Sequence, residues 1–177
     1  MKNEQSFNSK ILLFGEYSII QDSLGLTLPY DEFKGKLAFE NNEMNAHFVL
    51  ESNEHLAEFA AYLQQLITKK QLHIQFDIDT FQQDIANGMY FQSSIPQGFG
   101  VGSSGALVAA VYEKYTKEKV SLEDAPNKEK ILLLKEVFAK MESFFHGNSS
   151  GVDPLICYLN LPLLIKGKDG IEPVKVE

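Results

Sequence analysis

The sequence contains no arginine: all sixteen of its basic residues are lysines. Any phosphate it holds must be held by lysine, backbone N–H groups, a helix N-terminus or a metal ion, without a bidentate guanidinium fork. Cysteine is almost as scarce. Cys157 stands alone, which excludes an intrachain disulfide and any multi-cysteine zinc site. No run approaches the roughly 18 apolar residues of a membrane span, and the opening MKNEQSFNSK has no apolar signal core. The expectation is a cytoplasmic protein with no membrane partner. Positive charge is also in the minority: 16 basic against 24 acidic residues give a net charge of −8. A nucleic-acid partner, which needs a basic stripe, is therefore not expected. Internal repeats and low-complexity tracts are missing too.

What is present suits one domain with a real core. The chain has 177 residues, 44% of them hydrophobic and 11% aromatic, too apolar for disorder as the main state. KILLF (residues 10–14) reads as a buried strand ended by Gly15. LTLPY and KGKLAFE read as two further strands, punctuated by Gly25 and Gly35, and HFVLE (residues 47–51) as another. Leu56, Phe59, Ala60, Leu63, Leu66 and Ile67 recur at helical spacing, which predicts a helix over 53–70 capped by Ser52 or Asn53. LHIQFDI (72–78) alternates like a strand, 80–86 reads as a short helix and MYFQSS (89–94) as a strand. Helices follow from Ser103 to about Lys117 and up to about His146, then a turn or two at VDPLICYL, then a hairpin around Asp169 and Gly170. Strands first, then helices mixed with strands, indicate an α+β or mixed α/β sandwich.

The glycine-rich stretch PQGFGVGSSGALVAA (96–110) runs straight into small apolar residues. If Ser103 or Ser104 begins a helix, the first-turn N–H groups lack intrahelical partners, and the helix dipole adds positive potential there. Glycines at 98, 100 and 102 permit left-handed backbone and close approach by a bulky anion. That is the physics of a phosphate site, and a serine hydroxyl beside it could ligate the Mg²⁺ of a nucleotide. The stretch matches neither GxxxxGK[ST] nor the dinucleotide fingerprint. A flexible strand-to-helix connection with a serine cap is the other reading.

Two further stretches bear on that choice. HGNSSGVDP (146–154) is a second glycine- and serine-rich turn, ending in an aspartate before a proline; KILLFGEY (10–17) sets a lysine before a buried strand and a glutamate after it. Together the three resemble the GHMP kinase superfamily. PQGFGVGSSGA resembles its phosphate-loop motif P-x-x-x-G-L-G-S-S-A-A. KILLFGEY and HGNSSGVD look most like the mevalonate kinase branch, whose stretches read K-[IV]-[IL]-L-x-G-E-H and H-G-x-[PS]-S-G-[IV]-D.

The resemblance implies a sandwich of a mixed sheet and helices, the GHMP kinase N-terminal domain, spanning 1–177 and beginning its link to another domain after about residue 165. It implies ATP and Mg²⁺ as cofactors and a small-molecule alcohol as substrate. Pro96, Gly98, Gly100, Val101, Gly102, Ser103, Ser104, Gly105 and Ala106 would wrap the triphosphate. Ser104 and Glu142 would ligate Mg²⁺; a solvated helix charge is the plainer reading of Glu142. Asp153 would accept or orient the proton of the substrate hydroxyl, with Lys10 beside it offsetting charge on the phosphoryl group. The plainer readings are an N-cap for Asp153, with Pro154 as the first helical residue, and a surface lysine for Lys10. Glu16, Tyr17, His146, Gly147 and Ser150 would border the alcohol. Tyrosine stands at 17 where the motif has histidine, and His146 reads as a helix-end residue rather than a base. Val101 for leucine and Gly105 for alanine read as mild changes.

The superfamily also carries a ferredoxin-like second half with a third glycine-rich motif, which is not found in these 177 residues. The expectation is a fragment limited to the N-terminal domain, with apolar surface that would favour self-association as a homodimer. Mevalonate is the expected acceptor. Phosphomevalonate or another superfamily substrate, and a non-catalytic binding module, are the alternatives.

Overall fold

A computed structural model of the chain describes residues 5–15, 24–39, 46–120, 127–167 and 170–175. Its organising strand is β2 (Leu24–Phe39), which pairs antiparallel with β1 (Phe7–Phe14) along one edge. The other edge of β2 is shared. Its first residues pair with β4 (Leu163–Lys166), and its last with β3 (Met89–Ser93). A hairpin partner, β5 (Gly170–Pro173), extends the sheet beyond β4. The α+β class holds, and the sheet expected as mixed is antiparallel in every described pairing.

Five helices are described: α1 (Ala46–Thr68), α2 (Ile78–Ala86), α3 (Ser103–Tyr115), α4 (Lys128–His146) and α5 (Val152–Leu159). The central one is α3, which buries residues 105–112 without a break and packs on β1, β2, α4 and α5. A helix apolar on all sides belongs inside a core, and its alanines and glycine let the neighbours come close. Tyr112, Phe138 and Tyr158 tie α3, α4 and α5 together through edge-on ring contacts of 5.0–5.5 Å between centroids.

Several sequence expectations need correction. The two strands LTLPY and KGKLAFE are one strand, with Gly25 and Gly35 inside it rather than between strands. Gly35 marks a contact instead: a Cβ there would lie 2.2 Å from the Phe91 ring. HFVLE is not a strand but the start of α1, because Val49 and Leu56 fall seven residues apart on one helical stripe. A five-residue apolar run cannot be told from helix by pattern alone. Ser52 and Asn53 are consequently not caps. Ser52 Oγ accepts from Phe91 N at 2.9 Å, and Asn53 Nδ2 donates to the carbonyls of Ile85 and Met89 at 2.8 and 2.7 Å.

LHIQFDI forms only an isolated bridge, Phe76 to Thr116. Asp77 then caps α2, accepting from Thr80 N at 3.2 Å, so that helix begins two residues earlier than its apolar pattern suggested. The C-terminal hairpin is present, with Lys166 paired to Gly170, while Asp169 lies outside the described residues. Among the described residues no helix is long and apolar enough to cross a membrane.

Candidate active site

The glycine loop connects β3 to α3. Gly98, Gly100 and Gly102 all hold left-handed φ, at 80°, 67° and 88°, where a side chain is strained. Gly102 is the N-cap of α3, and no side chain caps that helix. The serine-capped reading therefore fails: Ser103 and Ser104 are the first helical residues. Ala106 N bonds to Gly102 O at 2.9 Å, which leaves the N–H groups ahead of it turned out of the helix start. Pro96 is half-buried at the loop's base, and Val101 packs against the core. Backbone ties the loop to β1, since Lys10 N donates to Val101 O at 3.0 Å.

That tie brings Lys10 into the site. It is not a surface lysine at a strand start: it lies within β1, is 8% exposed, and sets its Nζ 3.1 Å from Asp153 Oδ1. Asp153 is half-buried in the first turn of α5. Its reading as an N-cap is corrected, because Gly151 caps α5 in a left-handed conformation and Pro154 comes third in the helix. A carboxylate in a first turn is favoured by the helix dipole and by unpaired N–H groups. The two helix starts, α3 and α5, thus flank one lysine–aspartate pair.

Glu142 is not a solvated charge. It is 3% exposed on α4, one turn ahead of the helix end. Ser104 Oγ donates to its Oε1 at 3.2 Å, and Ser149 Oγ donates to its Oε2. Burial, reinforced by nearby Asp153, pushes the Glu142 carboxyl up to about 7, against the opposing pull of Ser149, Ser104 and Lys10. Ser104 Oγ also meets His146 Nε2 at 3.1 Å. His146 therefore stands against the first turn of α3. Gly147 ends α4 with φ of 71°, its N–H bonded to Ser143 O at 2.8 Å. Ser150 Oγ accepts from Val152 N at 3.4 Å in the turn before α5. Glu16 and Tyr17 lie outside the described residues.

Three contacts escape a reading of the sequence alone. Ser149, not Ser150, holds Glu142 and accepts from Gly151 N at 3.0 Å. His146 meets Ser104; its spacing of four from Glu142 on one helix face was the available signal. Cys157 Sγ lies under the loop, 3.8 Å from Gly102 O, with the thiol pushed up by burial.

Residues 55–160, more than half of the chain, match the family described as GHMP kinases N terminal domain. The chain belongs to the GHMP kinase family. Lys10 lies ahead of the matched span, and the geometry sets it 3.1 Å from Asp153. No curated protein gives a significant match by sequence. Among solved structures, this GHMP kinase domain is similar to Methanococcus jannaschii mevalonate kinase (TM-score 0.53, 16% identity, 99% of this chain and 57% of that one). It is also similar to L. major mevalonate kinase, solved in complex with R-mevalonate (TM-score 0.52, 16% identity, 98% and 52%). A third is the mevalonate kinase of methicillin-resistant Staphylococcus aureus (TM-score 0.50, 20% identity, 96% and 54%). At these identities the likeness concerns the fold. The chain spans about half the length of the kinases it matches.

Proposed function

We propose that this domain is the nucleotide-binding part of an ATP-dependent kinase that phosphorylates an alcohol hydroxyl, with mevalonate as the acceptor. The observation that carries the reading is the Lys10–Asp153 pair, 3.1 Å apart, between two helix N-termini and beside a glycine loop. Phosphoryl transfer asks a protein mainly for in-line positioning and charge neutralisation. Backbone N–H groups at the start of α3 would bind the triphosphate, and Lys10 would offset charge on the transferring group. Asp153 would take the hydroxyl proton as that oxygen attacks. No arginine is needed.

The donor set fits a magnesium ion carried in by a nucleotide. Ser104 Oγ and the Glu142 carboxylate are hard oxygen ligands in contact with each other, and a buried carboxyl pushed up to about 7 is stabilised as an anion by a cation. Among the described residues no group of three or more His, Cys, Asp or Glu could hold a metal by itself. Magnesium needs only one or two protein ligands, because it keeps waters and phosphate oxygens around it. When bound, the ion would neutralise phosphate charge.

The test is ADP release from Mg-ATP with and without mevalonate, beside Asp153→Asn. Mevalonate-dependent ADP, lowered about 10²–10⁴-fold by Asp153→Asn, is the expected result for a positioned proton acceptor. Mg-ATP binding without turnover supports the second reading, a nucleotide-binding unit that needs further chain, which the half-length coverage favours. Absence of Mg-ATP binding contradicts both.

A further inference from the structure

We infer that Gly105 is a positioning residue, whose missing side chain sets how far the Asp153 carboxylate stands from the phosphate loop. The inference rests on Asp153 being the proton acceptor proposed for the transfer. A Cβ on Gly105 would lie 2.8 Å from Asp153 C, 2.9 Å from Pro154 N and 3.0 Å from Asp153 O. All three are backbone atoms of the first turn of α5. No rotamer change relieves such contacts; the helix itself must move. The loop glycines differ, since a Cβ on Gly98 or Gly100 meets nothing within 4 Å and their left-handed φ alone accounts for them. Gly105 has no positive φ. In a helix it is about 1 kcal/mol worse than alanine, so close seating of α5 is what the glycine supplies. The phosphate-loop motif that this stretch resembles has alanine there, and the change is not mild in this packing.

The pair that reacts to this spacing spans the contact. Lys10 moves with the loop: its N–H is bonded to Val101 O at 3.0 Å, and its Cγ lies 2.8 Å from where a Gly102 Cβ would sit. Asp153 moves with α5. The entry to α5 is closed from the other side, where a Cβ on Gly151 would lie 2.2 Å from Lys135 O. Thus α5 sits between α3 and α4 with glycine at both points of contact. Carbon atoms settle at about 3.5–4.0 Å, so Gly105→Ala, starting from 2.8 Å to Asp153 C, would displace the first turn of α5 by roughly 0.7–1.2 Å from α3. A displacement of about 1 Å at a reacting group can cost about 10²-fold in rate.

The experiment is a double-mutant cycle for Lys10→Met and Asp153→Asn, read by urea unfolding of the whole chain, in the wild-type and Gly105→Ala backgrounds. Coupling in the wild type that falls toward none in Gly105→Ala is expected, with partial recovery when Asp153→Glu supplies the lost reach. Equal coupling in both backgrounds, or none in the wild type, overturns the inference. Calorimetric titration of the wild-type chain with Mg-ADP accompanies the cycle. Absent binding in the wild type contradicts the nucleotide reading and leaves the spacing result standing. Should Gly105→Ala fail to fold, Asp153→Glu alone is decisive. The tight seat leaves no room for the longer arm, so its coupling to Lys10 should drop, and unchanged coupling would refute the proposal.

Discussion

Glu142 sits out of water between two serine hydroxyls, and burial pushes its carboxyl up to about 7 from the ordinary 4.5. The sign of the resulting pH dependence follows from which state holds the proton. Between pH 4.5 and 7 the folded chain keeps it and the unfolded chain has lost it, so metal-free stability falls as pH rises through that window. At about 1.4 kcal/mol for each tenfold change in proton affinity, the loss is about 3 kcal/mol at most. Glu142→Gln is expected to remove this slope and to leave the metal-free protein more stable at pH 7, as urea unfolding at several pH values would register. A variant with the wild-type slope would place the group elsewhere. Cys157 offers a second check on burial. Its thiol, 2% exposed and pushed up, is expected to resist thiol reagents in the native chain and to react on unfolding; prompt native reaction would contradict the packing under Gly102. The resemblance of three short stretches put Lys10, Ser104, Glu142 and Asp153 into one expectation, and the structure sets Lys10 against Asp153 and Ser104 against Glu142. What else those side chains touch was not legible in the sequence. Whether Ser149 or Ser150 reaches Glu142 depends on one turn's geometry, and the Ser104–His146 contact joins helices 42 positions apart.

Among the elements, α1 departs furthest from its sequence pattern. The apolar run at 47–51 is short enough to suit either a strand or a helix, and the stripe it shares with Leu56, Phe59 and Leu63 decides for helix. Asn53, read as a cap, instead fastens α1 to the end of α2 and the start of β3 through the Ile85 and Met89 carbonyls. Asn53→Ala removes both bonds at once. It should destabilise the chain by about 1–3 kcal/mol, the sum expected for two part-buried hydrogen bonds, measurable as a shift in the urea midpoint. A change below about 0.5 kcal/mol, typical of a surface position, would mean that the amide does not clamp those elements. The strand expected at 72–78 fails for a related reason. Its alternation sends Leu72 into the core, but Asp77 starts α2 before any ladder can extend. Register and capping, both set by neighbours, are what a one-dimensional pattern leaves open.

At the scale of the whole molecule, two strand-to-helix or helix-to-helix turns from distant parts of the chain meet over β1, and the central claim is that they form a nucleotide site. The α+β class could be read from periodicity and turn residues, the order of elements only from β3 onward. The long shared strand β2, with β4 and β3 side by side on one edge, could not, because pairing partners are set by packing rather than by local pattern. Calorimetric titration of the chain with Mg-ATP tests the claim most directly. The account predicts one saturable site per chain, weakened at least tenfold by Ser104→Ala combined with Glu142→Ala and unaffected by Asn53→Ala. No saturable heat in a folded wild-type chain would contradict it.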